Sequence, residues 1–239
     1  MKENKELDMY LSDALMERPY AFSAGAFRFY LYPVTFGKMQ LLQRQMENLD
    51  IDMAQLQKDV SIEALRLAKE KRDECLTVIT YHTCKTKDEL FDITLVNERK
   101  SIFDKEMDEE DIAALMITVL TSDKTSLFIK HLGIDREQER TRVVSEIKAR
   151  SDRNSITIGG KSLYGSFIAP LMEIGLSWDE IMWGRSYTNL RLLLADKINT
   201  MYLSDDEMKR VPAWAKGDGK VIKADDPRNK DIIKQMNWK

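Results

Sequence analysis

Gly159-Gly160-Lys161-Ser162 ends the way a phosphate-binding loop ends, with a lysine for phosphate charge and a hydroxyl for its metal. That chemistry needs a further glycine five positions before Gly160, and the residue there is Ser155. It also needs a strand before the loop and a helix after it, so that backbone amides cradle the phosphate. Leu192-Leu193-Leu194-Ala195-Asp196 has the composition of the accompanying metal-binding strand, but its setting is helical. The segment therefore reads as a glycine-rich linker entering a helix, and nucleotide binding is not expected. Cys75, His82 and Cys84 form the second cluster, with His131 the only other histidine. Structural zinc takes four ligands, usually from paired C-x₂₋₄-C and H-x₃₋₅-H units, and neither pairing occurs. A Cys–His nucleophile pair is conceivable chemistry, but a small buried thiol and a helix-end histidine explain the same residues without it.

The carboxylate runs Asp108-Glu109-Glu110-Asp111 and Asp205-Asp206-Glu207 stand where helices begin, and negative charge there complements the helix dipole. Calcium would need oxygen ligands at loop spacing around a central glycine, which neither run offers. Arg136, Arg140, Arg142, Lys148 and Arg150 alternate with Glu137, Glu139 and Glu146, so pairing along one helix accounts for them. These readings leave no catalytic residue, no metal ligand and no cofactor site. A non-enzymatic protein is the expectation.

The elements that position these residues follow from composition and period. The chain has 239 residues, 43% hydrophobic and 32% charged, enough apolar material for a core. Five prolines and ten glycines suit long helices better than a turn-rich β fold. A net charge of −3 lacks the basic excess of a nucleic-acid binder. The first eight residues are polar and no apolar run of membrane-spanning length follows, so neither a secretory signal nor a membrane partner is expected. Two cysteines point to a reducing, cytoplasmic setting. Thirteen methionines are mostly core filling, with an adaptable contact surface as their other use.

Residues 3–17 read as an amphipathic helix ended by Pro19. Phe27, Phe29 and Leu31 then alternate with Arg28, Tyr30 and Tyr32, the period of a strand, and Phe22 precedes them across a turn near Gly25. This hairpin is expected either as an appendage on a helical body or as an edge offered to a partner. Thr35 caps the next helix, a long helical segment covers about 51–84, and Thr86 with Glu89 forms a capping box. Helices are expected to begin at Asp108 and at Ser122 or Asp123, and Gly133 ends the latter. Residues 135–150 form a charged surface helix with an apolar edge at Val143, Val144 and Ile147. Residues 151–160 are the clearest break, a helix covers 162–174, and Ser204 with Glu207 makes the last capping box. The fold class is mainly α: a multi-helix, bundle-like body with a short N-terminal β-hairpin and a poorly ordered C-terminal tail. Residues 1–150 carry the hairpin and helical region, 151–160 the linker, 161–204 a C-terminal helical hairpin packed on the body, and 205–239 the tail, with Trp214 and Trp238 as its only anchors.

The strongest local signal is 176–196. Ser177 and Glu180 make a capping box, and Trp183, Tyr187, Leu190, Leu194, Ile198 and Met201 recur along one face of a single helix. Such a stripe is more often core than partner surface. Trp178, Met182 and Arg185 extend it with residue types that binding hot spots favour.

Residues 25–38, Gly-x-Phe-x-Phe-Tyr-Leu-Tyr-Pro-Val-Thr-Phe-Gly-Lys, resemble the N-terminal hairpin, proline and helix entry of tail assembly chaperones of tailed bacteriophages. Residues 175–190, Gly-Leu-Ser-Trp-Asp-Glu-Ile-x-Trp-x-Arg-Ser-Tyr-x-Asn-Leu, continuing to Ala195-Asp196, resemble their C-terminal helical motif. The resemblance implies a small helical protein of the infected host's cytoplasm that binds the tape measure protein and tail tube subunits during assembly. It implies contact through Trp178, Met182, Trp183, Arg185 and Tyr187, with Phe29 and Tyr30 as a second site. The alternative is a virion structural or adaptor protein retained in the particle.

Overall fold

The computed structural model describes residues 4–151, 161–197 and 200–216. Most of the expected linker, the tail from residue 217 and Trp238 lie outside the described residues. The protein is mainly helical, with a two-stranded sheet near its N-terminus. It divides into two compact units, Met1–Asp135 with Ile158–Lys197, and Arg136–Thr157 with Ile198–Lys239. The division falls just inside a helix, after Asp135, and not at the break expected near 151.

The first unit opens with α1 (Lys5–Leu15), followed by β1 (Tyr20–Ala24) and β2 (Phe27–Leu31), paired antiparallel with Phe22 opposite Phe29 and Ala24 opposite Phe27. Gly25 makes the turn at φ +56°, where a side chain would strain the backbone. The hairpin is no appendage. Ala24 and Leu31 are buried in the main core, and Phe22 and Phe29 pack against it. A two-stranded hairpin is marginal alone, so it persists by burying this face.

After β2 come α2 (Phe36–Asn48), α3 (Met53–Lys58), α4 (Val60–Glu70) and α5 (Arg72–Thr83). Thr35 caps α2 by accepting from the Lys38 amide at 3.3 Å. The single long segment expected over 51–84 is three helices. Asp52 and Asp59 each accept two backbone amides and so start new helices, and Lys71 leaves the helical region at φ −130°. Next are α6 (Lys87–Phe91), α7 (Ile93–Glu106), α8 (Glu109–Leu120), with a reciprocal Asp108–Asp111 capping box, and α9 (Thr125–His131). The main core joins α2, α4, α5, α7 and α8 around Leu42, Leu67, Ile79, Phe103, Ile112 and Met116.

The helix α10 (Ile134–Ser151) begins at the buried Ile134 of the first unit and continues in the second. Within the second unit Arg140 donates to the Ala215 carbonyl at 2.9 Å, and Lys148 to that of Tyr202 at 3.0 Å. The first unit resumes with a π-helical turn at Tyr164–Ile168, α11 (Ala169–Glu173), a second π turn at Glu180–Gly184 and α12 (Tyr187–Ala195). Phe36, Phe167, Leu171, Ile181 and Leu190 close a second core around them. The second unit's α13 (Asp205–Arg210) carries the reciprocal Ser204–Glu207 box.

The continuous helix expected from Ser177 to Met201 is broken at Arg185, which is extended at φ −124°, ψ 146°. Tertiary acceptors capture the amides that would have continued it. The Ser186 N–H donates to the Glu17 carboxylate at 2.7 Å and the Tyr187 N–H to the Val34 carbonyl at 2.7 Å. Ser186 then caps the new helix by accepting from the Asn189 amide. The stripe is thus cut between Trp183 and Tyr187, Met201 lies outside any helix, and Ile198 lies outside the described residues.

Candidate functional site

The residues implied as a contact surface separate into two groups. Tyr187 stacks on Phe36 at 6.0 Å and meets Phe167 in a tilted contact at 5.4 Å, and Arg191 covers its ring at 5.6 Å. Trp183 packs edge-on to Phe91 at 6.0 Å, against the core of Cys84, Leu90 and Val96, with Lys87 5.8 Å from its ring centre. Phe29 meets Phe103 edge-on at 4.7 Å, and Met182 packs against the second core. These four side chains are half-buried and pack within the unit. Trp178, Arg185 and Tyr30 are exposed.

Gly37 records how closely Trp183 sits, since a Cβ there would lie 2.5 Å from the indole ring. Overpacking of this kind costs about 1–3 kcal/mol, more than the roughly 1 kcal/mol that alanine gains over glycine in a helix. Gly37→Ala is therefore expected to lower the urea midpoint. A raised midpoint would show the indole free to move.

Trp178 has a partner that sequence reasoning passed over. Its ring stacks on Tyr164 at 6.3 Å and 15°, while the two residues remain 44% and 65% exposed. Tyr164 lies at helical spacing from Phe167, Ile168 and Leu171, so its pattern reads as core. Both rings sit beside π-helical turns, a rare geometry found mostly at functional sites. Behind Trp178, the Ser177 amide and hydroxyl donate to the Glu180 carboxylate at 2.9 and 2.7 Å, and the Glu180 amide donates back. The Ser177 bonds hold the Glu180 carboxyl below its ordinary range, with Arg185 adding attraction.

The cysteine and histidine cluster resolves into helix-end structure. Cys75 lies in the main core, and burial pushes its thiol up to about 12. Cys84 follows α5, its thiol also raised by burial against the pull of Arg99 and Lys38. Thiols held protonated are poor nucleophiles. Lys38 is buried, and its Nζ donates to the Cys84 carbonyl at 2.7 Å, while Arg99 donates to that of Thr83 at 2.9 Å. Two cations thus serve the carbonyls at the C-terminus of α5, where positive charge is favoured. Burial lowers Lys38 to about 8, against the attraction of Cys84 and Glu89. His82 is held down at about 4, chiefly by burial and then by Lys38, while its Nδ1–H donates to the Val78 carbonyl at 2.9 Å. Lys38 was legible as an oddity, for Lys38, Leu42, Gln45 and Leu49 share one face of α2.

Among the described residues no group of three or more His, Cys, Asp or Glu is placed to hold a metal, and no single helix is long and apolar enough to cross a membrane. Comparison with protein-family models, with curated proteins and with solved structures found no match. What the described surface offers at Tyr164 and Trp178 is noncovalent contact.

Proposed function

We propose that this protein is a non-enzymatic assembly factor that covers an apolar helical surface on a partner, as a tail assembly chaperone of a tailed bacteriophage does. The tape measure protein and the tail tube subunits are the proposed partners, met in the host cytoplasm. The exposed, stacked Tyr164–Trp178 pair carries the reading. Two large rings held against each other present apolar area with little conformational entropy left to lose on binding. The resemblance of residues 25–38 and 175–196 to that family supplies the kind of partner. Arg185 supplies a charged neighbour of the sort that rims a hot spot.

The test is co-expression with a tape measure protein and a tail tube protein of a tailed phage, followed by affinity measurement on the complex. Tyr164→Ala with Trp178→Ala is expected to weaken binding by at least about 30-fold, the effect of losing a hot spot worth ~2 kcal/mol. Both rings are exposed, so the urea midpoint should stay nearly unchanged. Undiminished capture by the double variant would remove this surface from the mechanism. Mass spectrometry of purified particles then separates the roles, since a chaperone is missing from the virion and an adaptor is present.

A further inference from the structure

We propose that a cleft in the first unit, between α1, the segment leaving β2, α8, α9 and the start of α12, binds a small organic anion with an aromatic body and a hydroxyl group. The cleft encloses about 630 Å³, within the range of small-molecule sites. Leu31, Pro33, Val34, Met39 and Phe128 give it apolar walls, which suit a ring better than an inorganic ion.

Its charges select the sign of the ligand. Arg18 pairs with Asp13 at 3.1 Å and Asp123 with Arg191 at 2.8 Å, so these lining groups are already compensated. Lys124 is different. Its Nζ lies 3.3 Å from the centre of the Tyr10 ring, and it pairs with no carboxylate among the described residues. A ring face orients an ammonium without neutralising it, so the cleft keeps one positive charge available. A carboxylate or a comparable anionic group is the complement.

His82 selects the second group. It is buried yet lines the cleft, and its Nδ1–H is committed to the Val78 carbonyl. A neutral imidazole with hydrogen on Nδ1 carries a lone pair on Nε2, an acceptor and not a donor. An acceptor beside an apolar pocket favours a ligand hydroxyl over a bare ring. The arrangement is thus an ammonium for the anion, apolar walls for the ring and one neutral acceptor for the hydroxyl.

The probes are 4-hydroxyphenylacetate, tyrosol and tyramine, which share a phenol ring and end in a negative, a neutral and a positive group. Phenylacetate serves as the version without the hydroxyl. Isothermal titration of the full chain should show the anion bound about tenfold more tightly than tyrosol, as a charge-assisted hydrogen bond provides. Tyramine should bind more weakly still. Lys124→Gln should erase the difference between anion and alcohol, and His82→Phe the difference between the two acids. Thr118→Trp, which fills the cleft from α8, should abolish binding of all four. Near-UV circular dichroism checks that each variant is folded, and should the tryptophan variant misfold, Lys124→Gln alone decides. Equal affinity across the three charges, no binding in the low millimolar range, or an anion preference that survives Lys124→Gln would overturn the proposal.

Discussion

Phe103→Ala is expected to destabilise the first unit by about 3–5 kcal/mol, the usual cost of deleting a fully buried phenylalanine. Phe103 on α7 is inaccessible to solvent and lies 4.7 Å from the Phe29 ring and 5.7 Å from that of Phe22. Those two rings are the inward face of the hairpin, so one truncation removes both the buried area and the aromatic contacts that hold the strands down. A domain has only about 5–15 kcal/mol of net stability, so the loss takes a large share of it. The damage should not be uniform. Amides of Tyr20–Leu31 should lose hydrogen-exchange protection before those of α4 and α8, whose shared core around Leu67 and Ile112 remains. Urea unfolding gives the total and exchange gives the order. If the hairpin amides stayed as protected as those of α4, another contact would be anchoring the strands.

The caps at Thr35, Asp108, Ser177 and Ser204 and the turn at Gly25 were legible in the sequence because each depends on a side chain within a few residues of the amide it serves. The hairpin's alternation was legible too, but its burial was not, since the covering ring belongs to α7, more than seventy residues away. The same limit explains the stripe from Trp183 to Met201. Its period is helical throughout and outweighs the local signals at the break, Gly184 and the cap residue Ser186. The break comes from Glu17 and Val34, whose oxygens claim the Ser186 and Tyr187 amides across 169 residues in the first case. Glu17 holds a left-handed backbone at φ +53°, uncommon for a side chain of its size, and its carboxylate also accepts from Asn189 at 3.1 Å. At the candidate surface, residue type singled out Trp178, off the periodic stripe, and left its stacking partner Tyr164 unremarked within the helix expected over 162–174. Tyr164 continues an apolar spacing whose inner members, Phe167, Ile168 and Leu171, are buried, while its own position faces outward.

His82 should make the protein labile to mild acid. Its folded-state pKa is about 4 against 6.5 for an exposed imidazole. Between those values the unfolded chain holds the proton and the native state does not, so unfolding takes up protons and stability falls as pH is lowered. The interval corresponds to about 3 kcal/mol, present in full above pH 6.5 and gone by pH 4. The other carboxyl groups with lowered values, Glu63, Glu139, Glu180 and Asp123, have ordinary values of 4.5 or 3.8 and so add to the loss only further down. The limb from pH 6.5 to about 5 therefore belongs to His82. Urea midpoints should fall across that limb in the native protein and stay flat in His82→Phe, which keeps a planar ring at the site and cannot take up a proton. Lys38 is the second cause of the shift, so Lys38→Met should raise the His82 value and shrink the loss without abolishing it. An imidazole titration near 6.5 by nuclear magnetic resonance, or the same acid limb in His82→Phe, would move the acid sensitivity to another group.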